Sequence, residues 1–134
     1  AEIVTKFVDI LSTLEVEVIS LADTVGVATA DQVRRLFAVL SGQFPNVEIG
    51  VHLHSNPDNA REKVAAAHQS GCIRFDGALR GFGGCPMAED KLVGNIATET
   101  IYAYLRELNA APKLDDSEFQ KSMLMADQVF RKRK

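Results

Sequence analysis

Apolar residues recur along this chain with two alternating periods. In AEIVTKFVDILSTLEV, Ile3, Phe7, Ile10, Leu11 and Leu14 fall at helical spacing and predict a first helix. No Ser, Thr, Asp or Asn cap and no initiator Met precede it, so the chain reads as a piece of something longer, entered inside a helix. EVEVISLADT is then β-branched and apolar, a strand that turns at Gly26. Thr29, with Gln32 three residues on, forms a capping box before a helix striped by Val33, Leu36, Phe37 and Leu40 and stopped at Gly42. NVEIGVHLHS reads as a second strand. Asn56 followed by Pro57 opens an Ala-rich helix, with Val64, Ala65 and Ala67 on a thin apolar face, that ends near Gly71.

CIRFDGAL is the third strand, and RGFGGCPMAEDKLVGN is a long loop bearing several glycines. ATETIYAYLREL follows as a helix with Ile101, Tyr104, Leu105 and Leu108 on one face. Asp115 and Glu118 cap a last helix that turns Phe119, Met123, Ala126 and Phe130 inward. The order is thus α, then β-α three times, then α. Strands alternating with helices predict an α/β fold of parallel strands joined by right-handed crossovers. Three strands make a poor complete sheet, and the polar residues of interest all follow the strands' C-terminal ends. Ligands bind there in open α/β sheets and in (β/α) barrels. The chain is therefore expected to form one partial domain over residues 1–134, about three-eighths of a barrel of roughly 250 residues.

Composition narrows the function classes. With 46% hydrophobic residues in 134 and a net charge of −3, the chain can build a real core but offers no basic face for nucleic acid. RKRK at the end reads as a solvated tail. No apolar run approaches the ~20 residues of a membrane span, and no signal peptide is visible. Two cysteines, Cys72 and Cys85, match no disulfide framework or zinc spacing, so reduced thiols in a cytoplasmic setting are expected.

The candidate chemistry begins with GVHLHS. Side chains two apart on a strand share a face, so His52 and His54 point one way and Val51 and Leu53 the other. Two neutral imidazoles at the end of a parallel strand can converge on one cation, and the alternative is a pair of core histidines bonded to carbonyls. Asp23, in SLADT, either faces the same mouth or bonds backbone amides in the turn toward Gly26. Cys85 follows Gly81, Gly83 and Gly84 in a loop that can approach a ligand closely, a setting for a chemical thiol. Cys72, at a buried strand start, reads as an apolar filler. Asn95 is either a helix cap or an amide ligand for a hard cation. Asp76 is structural or functional, and His68 reads as surface. The loop matches neither common phosphate fingerprint.

SLADTVG, VHLHS, GFGGCP and GNIATE, in this order, resemble 3-hydroxy-3-methylglutaryl-CoA lyase, of the divalent-metal lyase and Claisen-synthase barrels. The resemblance covers nearly the whole chain, and Gly-Gly-Cys-Pro is its most specific part. It implies an eight-stranded barrel of which this chain holds the sixth to eighth strands. It also implies His52 and His54 as imidazole metal ligands, Asn95 as the amide ligand, Cys85 as a catalytic cysteine on a mobile loop, and Asp23 beside metal and substrate. Two departures stand out: Ser55 where the family commonly has Asp or Asn, and no Arg-Asp-Glu segment with its carboxylate ligand.

The activity implied is cleavage of 3-hydroxy-3-methylglutaryl-CoA to acetyl-CoA and acetoacetate, with Mg²⁺ or Mn²⁺ as Lewis acid. Asp23 or His52 would relay the hydroxyl proton, and Cys85 would protonate the departing enolate as a thiol. The chain alone is expected to have little or no lyase activity, and its open barrel edge to favour self-association into a homo-oligomer or capture of a partner. Three alternatives compete: a condensing acyl-CoA synthase using the same metal, a non-catalytic barrel-assembly module, and a redox or soft-metal site built from both cysteines.

Overall fold

The computed structural model describes residues 1–84 and 93–130. Along the chain lie α1 (Glu2–Thr13), β1 (Val18–Asp23), α2 (Ala30–Gln43), β2 (Glu48–Ser55), α3 (Pro57–Gln69), β3 (Arg74–Asp76), a 3-10 turn (Leu79–Gly81), β4 (Gly94–Asn95), α4 (Thr98–Glu107) and α5 (Asp116–Phe130). The three main strands are parallel in the order β1-β2-β3, as the alternation of patterns predicts. β4 is an addition: two residues that pair antiparallel with the end of β2, His54 opposite Asn95 and Ser55 opposite Gly94.

One face of the sheet is apolar and carries the core. Ile19, Ile49, Val51 and Leu53 pack with Val33, Phe37 and Leu40 of α2 and Ala60, Val64 and Ala67 of α3. The small residues of α3 let that helix lie close to the strands. The predicted N-terminal caps of α2 and α3 are both present. The Thr29 hydroxyl accepts from the Gln32 amide at 3.2 Å while Gln32 Oε1 accepts from the Thr29 amide at 2.8 Å. Asn56 accepts from the Asn59 amide at 3.2 Å, with Pro57 in the first turn.

Three expectations are corrected. In α1 the buried face is Val8, with Val4 and Leu11 beside it, whereas Ile3 and Phe7 are 74% and 60% exposed. Among the described residues the helix touches the core along one row only, and its second apolar row stays exposed. The third strand is shorter than CIRFDGAL. A Cβ at Gly77 would stand 2.9 Å from the Ile96 carbonyl oxygen, so the chain passes against residue 96 there. Its next backbone groups then pair with that segment instead of β2: Ala78 N–H donates to Ile96 O at 3.1 Å and Thr98 N–H to Ala78 O at 2.9 Å. In α5, Met123 and Ala126 are buried, but Phe130 is 56% exposed and rests on Phe82, ring centroids 5.0 Å apart.

Leu40→Ala, at a fully buried position, is expected to cost about 2–5 kcal/mol of unfolding free energy. Ile3→Ala, on the exposed row of α1, should stay within about 0.5 kcal/mol of the parent chain when both variants are measured by urea titration.

Candidate active site

The pleat of β2 sends Val51 and Leu53 into the core and His52 and His54 to the opposite, concave face. The two rings meet edge to face, centroids 5.2 Å apart, and their Nε2 atoms lie 3.3 Å from each other. Two nitrogens on adjacent corners of an octahedral cation, with bonds of about 2.1 Å, stand about 3.0 Å apart. The pair therefore has a separation that suits either one shared proton or one shared cation.

Asn95 completes the group. It lies opposite His54 in β4, and its side chain favours the charged form of that imidazole. Its Nδ2 donates to Phe82 O at 2.9 Å, which leaves the carbonyl oxygen for the histidine side. Asn95 is not a helix cap, because α4 begins at Thr98. The glycines hold this arrangement together. Gly81 and Gly83 both have positive φ, 64° and 88°. A Cβ at Gly81 would stand 2.8 Å from Asn95 O, and one at Gly83 2.9 Å from Asn95 Nδ2. Close approach is what the glycines allow, and for Gly81 and Gly83 the neighbour approached is Asn95 itself. Cys85 lies outside the described residues, as does RKRK.

Asp23 ends β1 with both oxygens engaged. Oδ1 accepts from the Val27 amide at 3.1 Å, and Oδ2 from the Ala28 amide at 3.0 Å and the Lys63 ammonium at 3.3 Å. Of the two readings of this carboxylate, the turn-bonding one describes its contacts. Asp76, the β3 partner of His52, accepts from Ser20 Oγ at 2.6 Å across β2. Ser55 is buried and its hydroxyl donates to Asn59 Oδ1, so it belongs to the start of α3. His68 sits away from the group, its Nδ1 3.4 Å from Tyr104 Oη. Cys72 is fully buried, and burial pushes its thiol up to about 11, so it is a neutral thiol at pH 7.

Lys63 was not singled out from the sequence. It is 2% exposed beneath the site. The signal was present: Ala60, Lys63, Val64 and Ala67 share one helical face, so the lysine falls in phase with the inward residues.

His54 has its pKa held below the usual value, first by burial and next by the neighbouring His52, so the imidazole is neutral at pH 7 and free to ligate. Two imidazoles and a carboxamide suit a divalent cation but bring no negative charge. Among the described residues no three His, Cys, Asp or Glu side chains gather in one place. The donor set fits a cation and leaves room for an anionic oxygen from elsewhere.

Residues 1–125 match the family model described as HMGL-like. The chain belongs to the HMGL-like family. It is 38% identical over 97 residues to (R)-citramalyl-CoA lyase of Chloroflexus aurantiacus, covering 72% of this chain and 30% of that protein. It is 37% identical over 91 residues to hydroxymethylglutaryl-CoA lyase of Bacillus subtilis, covering 68% of this chain and 30% of the relative. The solved structure of the Bacillus subtilis HMG-CoA lyase superposes with a TM-score of 0.85 at 29% identity, over 96% of this chain and 43% of that one. The parallel β/α units of this HMGL-like chain are thus a partial (β/α) barrel, and the chain spans less than half the length of these relatives. No described helix is long and apolar enough to cross a membrane.

Two outcomes are expected. In a Cys85→Ser variant, Cys72 should resist thiol labelling at about pH 8, where a group titrating near 11 is thiolate in roughly one molecule per thousand; labelling should appear only on unfolding. The His54 pKa is lower folded than unfolded, so the unfolded chain binds more protons as pH falls through the usual histidine range. Stability should therefore drop as pH is lowered below about 6.5, and His54→Gln should flatten that part of a melting-temperature profile.

Proposed function

We propose that the chain supplies the metal-binding and proton-donating rim of a metal-dependent carbon–carbon lyase that cleaves 3-hydroxy-3-methylglutaryl-CoA to acetyl-CoA and acetoacetate. The observation that carries this reading is the convergence of His52 and His54 Nε2 at 3.3 Å, with Asn95 paired opposite His54, in a chain of the HMGL-like family. His52, His54 and Asn95 would hold Mg²⁺ or Mn²⁺. Bound there, such a cation supplies Lewis-acid polarisation of the substrate's hydroxyl and carboxylate oxygens.

The chain's own residues do the rest. The substrate hydroxyl proton leaves to a base as the carbon–carbon bond breaks. The bond's electron pair passes to the acetyl-CoA enolate, and the hydroxyl carbon becomes the ketone of acetoacetate. Asp23 and His52 are the two candidates for that base. Asp23 Oδ1 keeps a lone pair beyond the hydrogen bond it accepts from Val27, whereas His52 would take the proton only on leaving the cation, because a ligated neutral imidazole has no free lone pair. Cys85, a thiol at that stage, donates its proton to the enolate carbon. We further propose a cytoplasmic setting, and association through the sheet edge beyond β1, which no described strand covers.

A second reading has its own support. (R)-Citramalyl-CoA lyase is matched as well as hydroxymethylglutaryl-CoA lyase, at 38% against 37%. The two substrates differ by one methylene between the hydroxyl carbon and the free carboxylate, and the same residues would release the same enolate from either.

Mn²⁺ binding to the 134-residue chain should be detectable by water-proton relaxation and weakened at least tenfold by His52→Ala or His54→Ala. Turnover of either acyl-CoA by the chain alone should be negligible for want of a carboxylate ligand. It should appear when the first half of a Bacillus subtilis-type lyase barrel is added, and acetoacetate or pyruvate as product decides between the substrates. Unchanged Mn²⁺ binding in both histidine variants would sink the assignment.

A further inference from the structure

Lys63 is the bulkiest side chain in the fully buried set, and it carries a charge. Its ammonium has three protons, and the structure gives each a partner: His54 O at 2.9 Å, Gly26 O at 3.1 Å and Asp23 Oδ2 at 3.3 Å. These acceptors come from three places: the end of β1, the turn after it and the end of β2. The His54 carbonyl lies one residue beyond the last β1–β2 pair, Asp23 with Leu53, so the β1 ladder does not reach it. Gly26 packs on the same carbonyl, where a Cβ would stand 3.4 Å from the oxygen.

The His54 ring lacks the usual second support. Metal-binding imidazoles nearly always donate from the nitrogen turned away from the cation, which fixes the ring. His54 Nδ1 is buried and has no partner among the described residues. The aim of this imidazole is therefore set by its backbone and by Asn95 on one side. We propose that Lys63 is a positioning residue for the metal-binding pair: by pinning the His54 carbonyl to β1, it fixes the backbone from which His54 Nε2 meets His52 Nε2. This inference rests on the metal-centred reading above for its purpose, though not for its geometry.

A purely electrostatic role predicts the opposite sign. A buried cation beside a metal site repels the metal, so removing it would tighten binding. The test uses the metal-free chain first. In Lys63→Met, nuclear Overhauser contacts between the His52 and His54 rings should be lost or scattered over several ring orientations, while the chain still melts cooperatively. Mn²⁺, added alone, should bind at least tenfold more weakly than to the parent. Because Lys63→Met strands the Asp23 carboxylate, Lys63→Met with Asp23→Asn is the companion variant. It removes both charges, leaves an amide oxygen for the turn, and should show the same two losses. Retained ring contacts in the folded double variant, or Mn²⁺ binding equal to or tighter than the parent's, would overturn the proposal. If the parent chain binds no Mn²⁺, the metal-centred reading fails, and the ring contacts still decide what Lys63 does.

Discussion

The alternation of side chains along β2 is the constraint on which the rest depends. β2 is the middle strand, hydrogen-bonded on both sides, with Val51 paired to Leu21 and to Phe75. Its apolar residues Ile49, Val51 and Leu53 are locked under α2 and α3. A slip of one residue would carry this set to the concave face and put both imidazoles in the core, so burial of three apolar side chains fixes the register of two polar ones. The site inherits its precision from the opposite face of the same strand.

Around that strand the polar groups are sorted by depth. Ser20 and Asp76 reach each other over β2, where Gly50 offers no side chain to separate them. His52 stands level with Asp76 and His54 two residues further, and β4 closes the end of β2 with Asn95. The glycine segment acts here as a neck. A Cβ at Gly94 would stand 2.9 Å from Gly83 O, and one at Gly84 3.2 Å from Val93 O, so the two ends of the loop lie backbone to backbone.

A buried lysine beneath a proposed cation site looks at first like a contradiction. Burying an ammonium costs several kcal/mol unless its donors are all used and a counter-ion is present. Here three acceptors meet it and Asp23 balances its charge, so the pair is close to neutral as seen from the histidines. The opposing influences on His54 reflect this, with Asp23 raising its pKa and Lys63 lowering it, both behind burial and His52. The arrangement joins β1, β2 and α3 at the rim, where strand hydrogen bonds run out.

How much of this was legible in the sequence follows from the range of each interaction. Helix and strand periods, the Thr29 and Asn56 caps and the shared face of His52 and His54 are local properties of a few consecutive residues, and they read correctly from the chain. The phase of Lys63 among Ala60, Val64 and Ala67 was equally local, but a lysine among alanines is easily taken for surface. Other features needed distant partners. The pairing of β4 with β2 and the cut of β3 at Gly77 depend on residues 19 to 41 positions away, and the exposed row of α1 on which described residues pack against it. Sequence therefore determined which side chains share a face, because backbone geometry repeats every two or 3.6 residues. Only the tertiary structure decided which faces meet, because that choice is made by packing and by where each buried carbonyl finds a donor.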